Sequence, residues 1–293
     1  MKKIKVTQPL PAVHIVEKEW LNPFNPIAVN LIGAGGTGSQ VLTALGRINH
    51  ALTELNHPGL FVRLFDDDKV ERANLGRQLF ATAELGQYKA VALINRVNLF
   101  FGTNWKAVTA LYDQANLKQQ PELARAGLTI SCVDTVQARL EIAEILKAVH
   151  AHSNYGRNRP VYYMDFGNSR SSGQVVLSTV GKVPQPQMSK YQTVDSLPMV
   201  TDEFKDLLLA SESTDKTPSC SLAEALTKQD LFINSALANT GASLLWTLFR
   251  EGMVTNRGFF VNLKDFRMQP IKVTPPSGVI VPLKPKRVKN KFA

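Results

Sequence analysis

Apolar residues run along this chain in two rhythms. Short, nearly unbroken apolar stretches occur at Ile27–Ile32, Phe61–Phe65 and Leu128–Val133. A stretch without alternation reads as a strand buried on both faces. Between and after them, apolar positions recur three and four apart, the spacing of a helix with one buried face. Val41, Leu42, Leu45, Ile48 and Leu52 predict a helix over about Thr37–Asn56. Tyr88–Phe101 predicts a second, and Val136, Leu140, Ile142, Ala143 and Leu146 a third. Strand and helix alternating through residue 150 predict a parallel sheet with right-handed crossovers. After Arg159, runs around Tyr162 and at Val175–Val180 predict strands that turn antiparallel.

The remaining segments are less regular. Residues 182–220 contain Pro184, Pro186, Pro198 and Pro218, with a short helix expected at Glu203–Ala210. A loop this long inside a domain is usually functional, and it reads as a crossover segment or lid. Leu231, Leu237, Leu244, Leu245 and Leu248 predict a helix over Asp230–Arg250, a core element or a homodimer face, and Gly258–Met268 a closing strand or hairpin arm. The expected fold class is α/β: a Rossmann-like, mostly parallel sheet with helices on both faces, an antiparallel C-terminal extension and a long crossover loop. The expected division is an N-terminal extension (1–26), a nucleotide-binding core (27–181), the crossover loop (182–220), a C-terminal helix and strand completing the same domain (221–281), and a basic tail (282–293).

Charge changes little in this picture. The net charge of +10 is concentrated partly in Lys284, Lys286, Arg287, Lys289 and Lys291. No aromatic residues interleave with them, so a solvated tail is favoured over a nucleic-acid contact. With no apolar leader or membrane span and only two cysteines, the expected location is the reducing cytoplasm.

The candidate chemistry is concentrated near the N-terminal end. The first strand is followed by Gly33-Ala34-Gly35-Gly36-Thr37-Gly38 and a helix, a loop that can cradle phosphate at a helix N-terminus. The second strand ends in Asp66-Asp67-Asp68. There Asp66 suits a ribose hydroxyl, with Asp68 in support; this fits ATP and NAD equally. Asn74-Leu75-Gly76-Arg77-Gln78 and Lys89 favour ATP. A hydride-transfer site has no need of extra cations, whereas a departing pyrophosphate does. Taken singly, Arg77 and Lys89 could equally be surface cations. The third strand ends in Asp134, which suits Mg²⁺ held mainly by phosphates and water, or a helix N-cap. Cys132 lies in an apolar strand and reads as inert. Cys220 sits in the polar segment Thr217-Pro218-Ser219-Cys220-Ser221 and reads as a nucleophile, an unreactive loop thiol or a thiol for transient disulfide chemistry.

Together these motifs resemble those of the ThiF/MoeB/HesA superfamily, the ubiquitin-activating-enzyme-like adenylating enzymes. The matching elements are Gly-x-Gly-Gly-x-Gly, Asp-x-Asp, Asn-Leu-x-Arg-Gln, Gly-Gln-x-Lys and a strand ending in Asp, over about residues 27–180. Asp165-Phe166-Gly167 and Gly173-Gln174-Val175 resemble the family's next strand, turn and strand. The chain also looks like the ThiF-related member of PRTRC cassettes, which are associated with a ubiquitin-like and a conjugating-enzyme-like protein.

The resemblance implies ATP-dependent adenylation of the C-terminal carboxylate of a ubiquitin-like or sulfur-carrier-like protein. It places Asp66 on ribose, Asn74, Arg77, Gln78 and Lys89 at the triphosphate, and Asp134 on magnesium. Pro218-Ser219-Cys220-Ser221 resembles the thioester-forming site of such enzymes, and a homodimer is implied. Three departures stand out. Residues 1–26 lack the family's Arg-Tyr-x-Arg-Gln segment, the usual Asp-x-x-Asp-Asn is Ser131-Cys132-Val133-Asp134-Thr135, and two cysteines cannot form a four-thiolate zinc site. A catalytically degenerate binding subunit and an NAD(P)-dependent oxidoreductase are the competing expectations.

Overall fold

The computed structural model describes residues 11–76, 78–152, 159–211 and 229–275. Its central sheet is built from β2 (Ile27–Ile32), β3 (Leu60–Phe65), β4 (Lys106–Val108), β5 (Leu128–Ser131), β6 (Tyr162–Asn168), β7 (Ser172–Thr179), β10 (Asn256–Asn262) and β11 (Arg267–Lys272). The strands lie in the order β11-β10-β7-β6-β5-β2-β3-β4. From β4 to β6 the pairing is parallel; β7, β10 and β11 add antiparallel strands.

The strand at Tyr162 corrects one expectation. It still runs parallel to its neighbour, with Leu128 opposite Tyr162 and Ser131 opposite Asp165, and the reversal comes one strand later. The reason lies in the connections. A helix, α4 (Val136–His152), carries the chain from β5 to β6, and a helical crossover returns a strand in the same direction. Only a tight turn, closed by Ser169 N–H donating to the Ser172 carbonyl at 2.8 Å, joins β6 to β7.

Helices α1 (Gly36–Glu54), α2 (Lys89–Phe101) and α7 (Ile233–Glu251) cover one face of the sheet. Leu42, Leu45, Leu93 and Leu245 pack there against Leu31, Leu64, Ile130 and Met164. On the other face α4 packs Ile142 and Leu146 against Ile32, Phe65, Tyr163 and Val176. The short α3 (Gln114–Gln119), α5 (Val200–Glu203) and α6 (Lys205–Ser211) complete this layer. Burial on both faces is why β2 and β5 show no alternation in sequence.

A second, three-stranded sheet in the order β8-β1-β9 went unread in the sequence. It joins β1 (Ala12–Ile15), β8 (Gln192–Thr193) and β9 (Met253–Val254). Residues 11–26 are thereby packed onto the domain: Trp20 is buried and stacks on Phe249, with ring centroids 5.5 Å apart. Val183, Val194 and Leu197, from the stretch read as a crossover loop, join the same core. Residues 212–220 of that stretch, with Cys220, and the tail 282–293 lie outside the described residues. No described helix is long and apolar enough to cross a membrane.

Candidate active site

The strand order reverses around β2. The chain leaves it for β3 on one side and returns to β5 on the other, and ligands of such sheets sit outside the carboxyl ends of the strands at this point. The loop Gly33–Gly38 occupies it. Gly33 has φ +93°, and a Cβ there would lie 2.8 Å from the Cys132 carbonyl oxygen, so the loops after β2 and β5 touch. A Cβ on Gly38 would collide with the Gly33 carbonyl oxygen. Gly35 is different: a Cβ there would meet nothing within 4 Å. Gly35 is also the N-cap of α1, and no side chain caps that helix. The N-terminal turn therefore presents backbone N–H groups and the positive end of a helix of 19 residues.

Two asparagines absent from the sequence reading complete this corner. The Asn234 side chain, in the first turn of α7, fills the space that a Cβ on Gly36 would need, at 2.5 Å. Its Oδ1 accepts from Thr37 Oγ1 at 2.8 Å and from Asn168 Nδ2 at 2.6 Å, and its Nδ2 donates to Gln229 Oε1 at 3.0 Å. The Thr37 hydroxyl is thus engaged with Asn234 inside the fold, and Gly36 accommodates a side chain of the same protein. An isolated asparagine far along the chain carries no pattern that would reveal this.

On the β3 side, Asp66 ties two loops together. Its Oδ2 accepts from Ala34 N–H at 2.6 Å and its Oδ1 from Asp68 N–H at 3.1 Å. Burial pushes its carboxyl above the usual range, opposed by the Ala34 N–H and the Lys89 charge. Lys89, the first residue of α2, is itself buried, and its ammonium donates to Asp68 Oδ2 at 2.7 Å. Its partner Asp68 is exposed.

The neighbouring Asn74–Gln78 turn is closed by Gln78 N–H donating to the Asn74 carbonyl at 3.0 Å. Asn74 Oδ1 accepts from Glu71 N–H at 2.8 Å, so part of this side chain serves the turn itself. Gln78 is buried, and its Oε1 has no hydrogen-bond partner among the described residues. Leu79 N–H reaches Ser39 Oγ on α1 at 3.4 Å, which sets the turn beside the glycine loop. Arg77 lies outside the described residues.

Asp134 is exposed, on the loop after β5. The N-cap of α4 is its neighbour: Thr135 Oγ1 accepts from Ala138 N–H at 3.2 Å, the capping geometry. Among the described residues no three His, Cys, Asp or Glu side chains gather to hold a metal. A lone exposed carboxylate does fit magnesium carried by phosphates and water. Beneath the loop, burial and the Asp165 carboxylate hold the Cys132 thiol well above its usual range, so it is a poor nucleophile.

A mostly parallel sheet with helices on both faces and a glycine loop at its switch point defines a class, the α/β proteins of Rossmann-like fold. Within that class the model of the ThiF family matches residues 12–277, and the chain belongs to the ThiF family. Among solved structures it is similar to PaaA, at 16% identity and TM-score 0.56 over 87% of this chain and 75% of that one. It is also similar to E. coli MccB crystallised with MccA, at 14% identity and TM-score 0.55 over 90% and 67%. MccB crystallised with ATP gives 14% identity and TM-score 0.51 over 90% and 67%. At these identities the likeness is one of fold. No curated protein matches the sequence.

Proposed function

We propose that this chain adenylates the C-terminal carboxylate of a small ubiquitin-like or sulfur-carrier-like protein at the expense of ATP. The observation that carries this reading is the juxtaposition at one sheet edge of the uncapped N-terminus of α1, the open space at Gly35 and the buried Lys89 ammonium. The crystallisation of MccB with ATP, and with MccA, supports a nucleotide and a polypeptide substrate.

In this reading a carboxylate oxygen attacks the α-phosphorus of ATP. A new P–O bond forms, the bond to the bridging oxygen breaks, and pyrophosphate leaves with its electron pair. The α1 N–H groups and Gly35 would receive phosphate oxygens, and Asp66 would use its remaining lone pairs for ribose hydroxyls. Lys89, with Arg77, would neutralise charge building on the leaving pyrophosphate. Asp134 would hold magnesium, which when bound screens the phosphate charges. Cys220 would then attack the acyl-adenylate as a thiolate, releasing AMP and leaving a thioester.

Pyrophosphate release tests the substrate class. A ubiquitin-like protein ending in glycine should support release with magnesium-ATP, and the same protein with an amidated C-terminus should not. Equal release from both would contradict attack by the terminal carboxylate. The Cys220→Ser variant should retain release but lose any thiol-sensitive adduct.

A further inference from the structure

Arg139 lies in the first turn of α4 and is buried, as is Asp165 on β6, with Nε donating to Asp165 Oδ1 at 3.1 Å. A buried ion pair is seldom more stabilising than apolar side chains of the same volume, so stability alone is a weak reason for one here. The remaining bonds of the guanidinium are more telling. Nη2 donates to the Val133 carbonyl at 2.6 Å and to the Phe166 carbonyl at 3.2 Å, and Nη1 reaches the Thr135 carbonyl at 3.4 Å. Val133 and Thr135 are the two neighbours of Asp134. One planar, rigid fork therefore grips the backbone on both sides of the exposed carboxylate and ties it to β6. Asp165 is braced in turn by the Tyr163 hydroxyl, which donates to its Oδ1 at 3.2 Å.

We propose that Arg139, anchored by Asp165, is a positioning residue that fixes the Val133–Thr135 backbone and so presents the Asp134 carboxylate to the magnesium of bound nucleotide. The inference rests on the adenylation reading, in which Asp134 faces that metal. Arg139 touches neither nucleotide nor metal; it acts through the loop it holds. Groups that orient a metal ligand commonly matter almost as much as the ligand itself.

The test is ATP affinity, measured by calorimetry with magnesium and again with EDTA. The proteins are the wild type, Asp134→Asn, Arg139→Lys and the Asp134→Asn/Arg139→Lys double variant. Arg139→Lys keeps a charge for Asp165 but loses the fork. Wild type should bind more tightly with magnesium. Each single variant should lose about 10- to 100-fold of that gain while keeping its affinity in EDTA, and the double variant should be no worse than either. In nucleotide-free protein, amide exchange at residues 133–135 should be faster in Arg139→Lys. Arg139→Met/Asp165→Leu, an apolar replacement chosen to preserve folding, should show the same loss.

A lower melting temperature in Arg139→Lys with the magnesium gain and loop protection intact would mark the pair as merely structural and overturn the proposal. A wild type that binds ATP equally with and without magnesium would overturn the role of Asp134 itself, and the proposal with it. The two failures are distinguishable because the second needs no variant.

Discussion

Four glycines in one short loop do different work. Gly38 cannot accept a side chain because the Gly33 carbonyl occupies its place, and Gly36 cannot because Asn234 does. Gly35 faces open space with φ −74°, a value alanine adopts freely. Gly35→Ala should therefore fold within about 0.5 kcal/mol of wild type. It should still weaken ATP binding by about 1.5–3 kcal/mol, at least tenfold, as phosphate loses its close approach to the backbone. Gly38→Ala should instead lose about 3 kcal/mol of stability. Gly36→Ala should lose about 1–3 kcal/mol, and Asn234→Ala should cost less on that background than in wild type, because the clashing amide is gone. Denaturant melts and ATP titrations on the same samples separate these outcomes; equal stability losses at 35 and 38 would contradict the division. The loop, Asp66 and Lys89 were legible as candidates because residue type and spacing are visible in the sequence. Asn168 and Asn234 were not, because what makes them matter is proximity to Thr37, created by the fold. The same holds for the grip of Arg139 on the Asp134 loop.

At the scale of elements, buried strands and long helices could be read directly, since period and length specify them. The short β1, β8 and β9 could not: each is too brief to show a period and is held by contacts from distant parts of the chain. His14 pins this small sheet to the large one. The Glu17 N–H donates to Tyr162 Oη at 3.2 Å, that hydroxyl meets His14 Nε2 at 2.9 Å, and His14 Nδ1 meets the Val194 carbonyl at 2.8 Å. This chain of bonds suits a neutral imidazole with its proton on Nδ1. Burial accordingly lowers the His14 pKa, against opposing contributions from the Val194 carbonyl and Asp195. The unfolded chain then takes up a proton at position 14 below about pH 6.5 while the folded one resists it. The stability this histidine contributes is complete above that pH and is lost as the pH falls toward its lower folded value, with a slope of at most about 1.4 kcal/mol per pH unit. Melts at pH 7.5 and 5.5 should show a larger loss in wild type than in His14→Gln; equal losses would contradict a buried neutral His14.

At the scale of the molecule, the sheet brings residues from four strand ends to one edge. The loop after β2 supplies the proposed anion site, and Asp66 after β3 accepts a hydrogen bond from that loop. Asp134 stands after β5, and Asn168 ends β6 against Thr37. Strand order decided this convergence, and the alternation of strand and helix foretold it. The reversal from parallel to antiparallel was misplaced by one strand because apolar runs do not reveal direction. On the proposed function this edge takes ATP rather than a dinucleotide, and calorimetry of magnesium-ATP, NAD⁺ and NADP⁺ on wild type and Lys89→Ala decides between the two. Saturable binding of ATP alone is expected, weakened at least tenfold by removal of the lysine charge. Selective binding of NAD⁺ or NADP⁺, or ATP binding indifferent to Lys89, would contradict it.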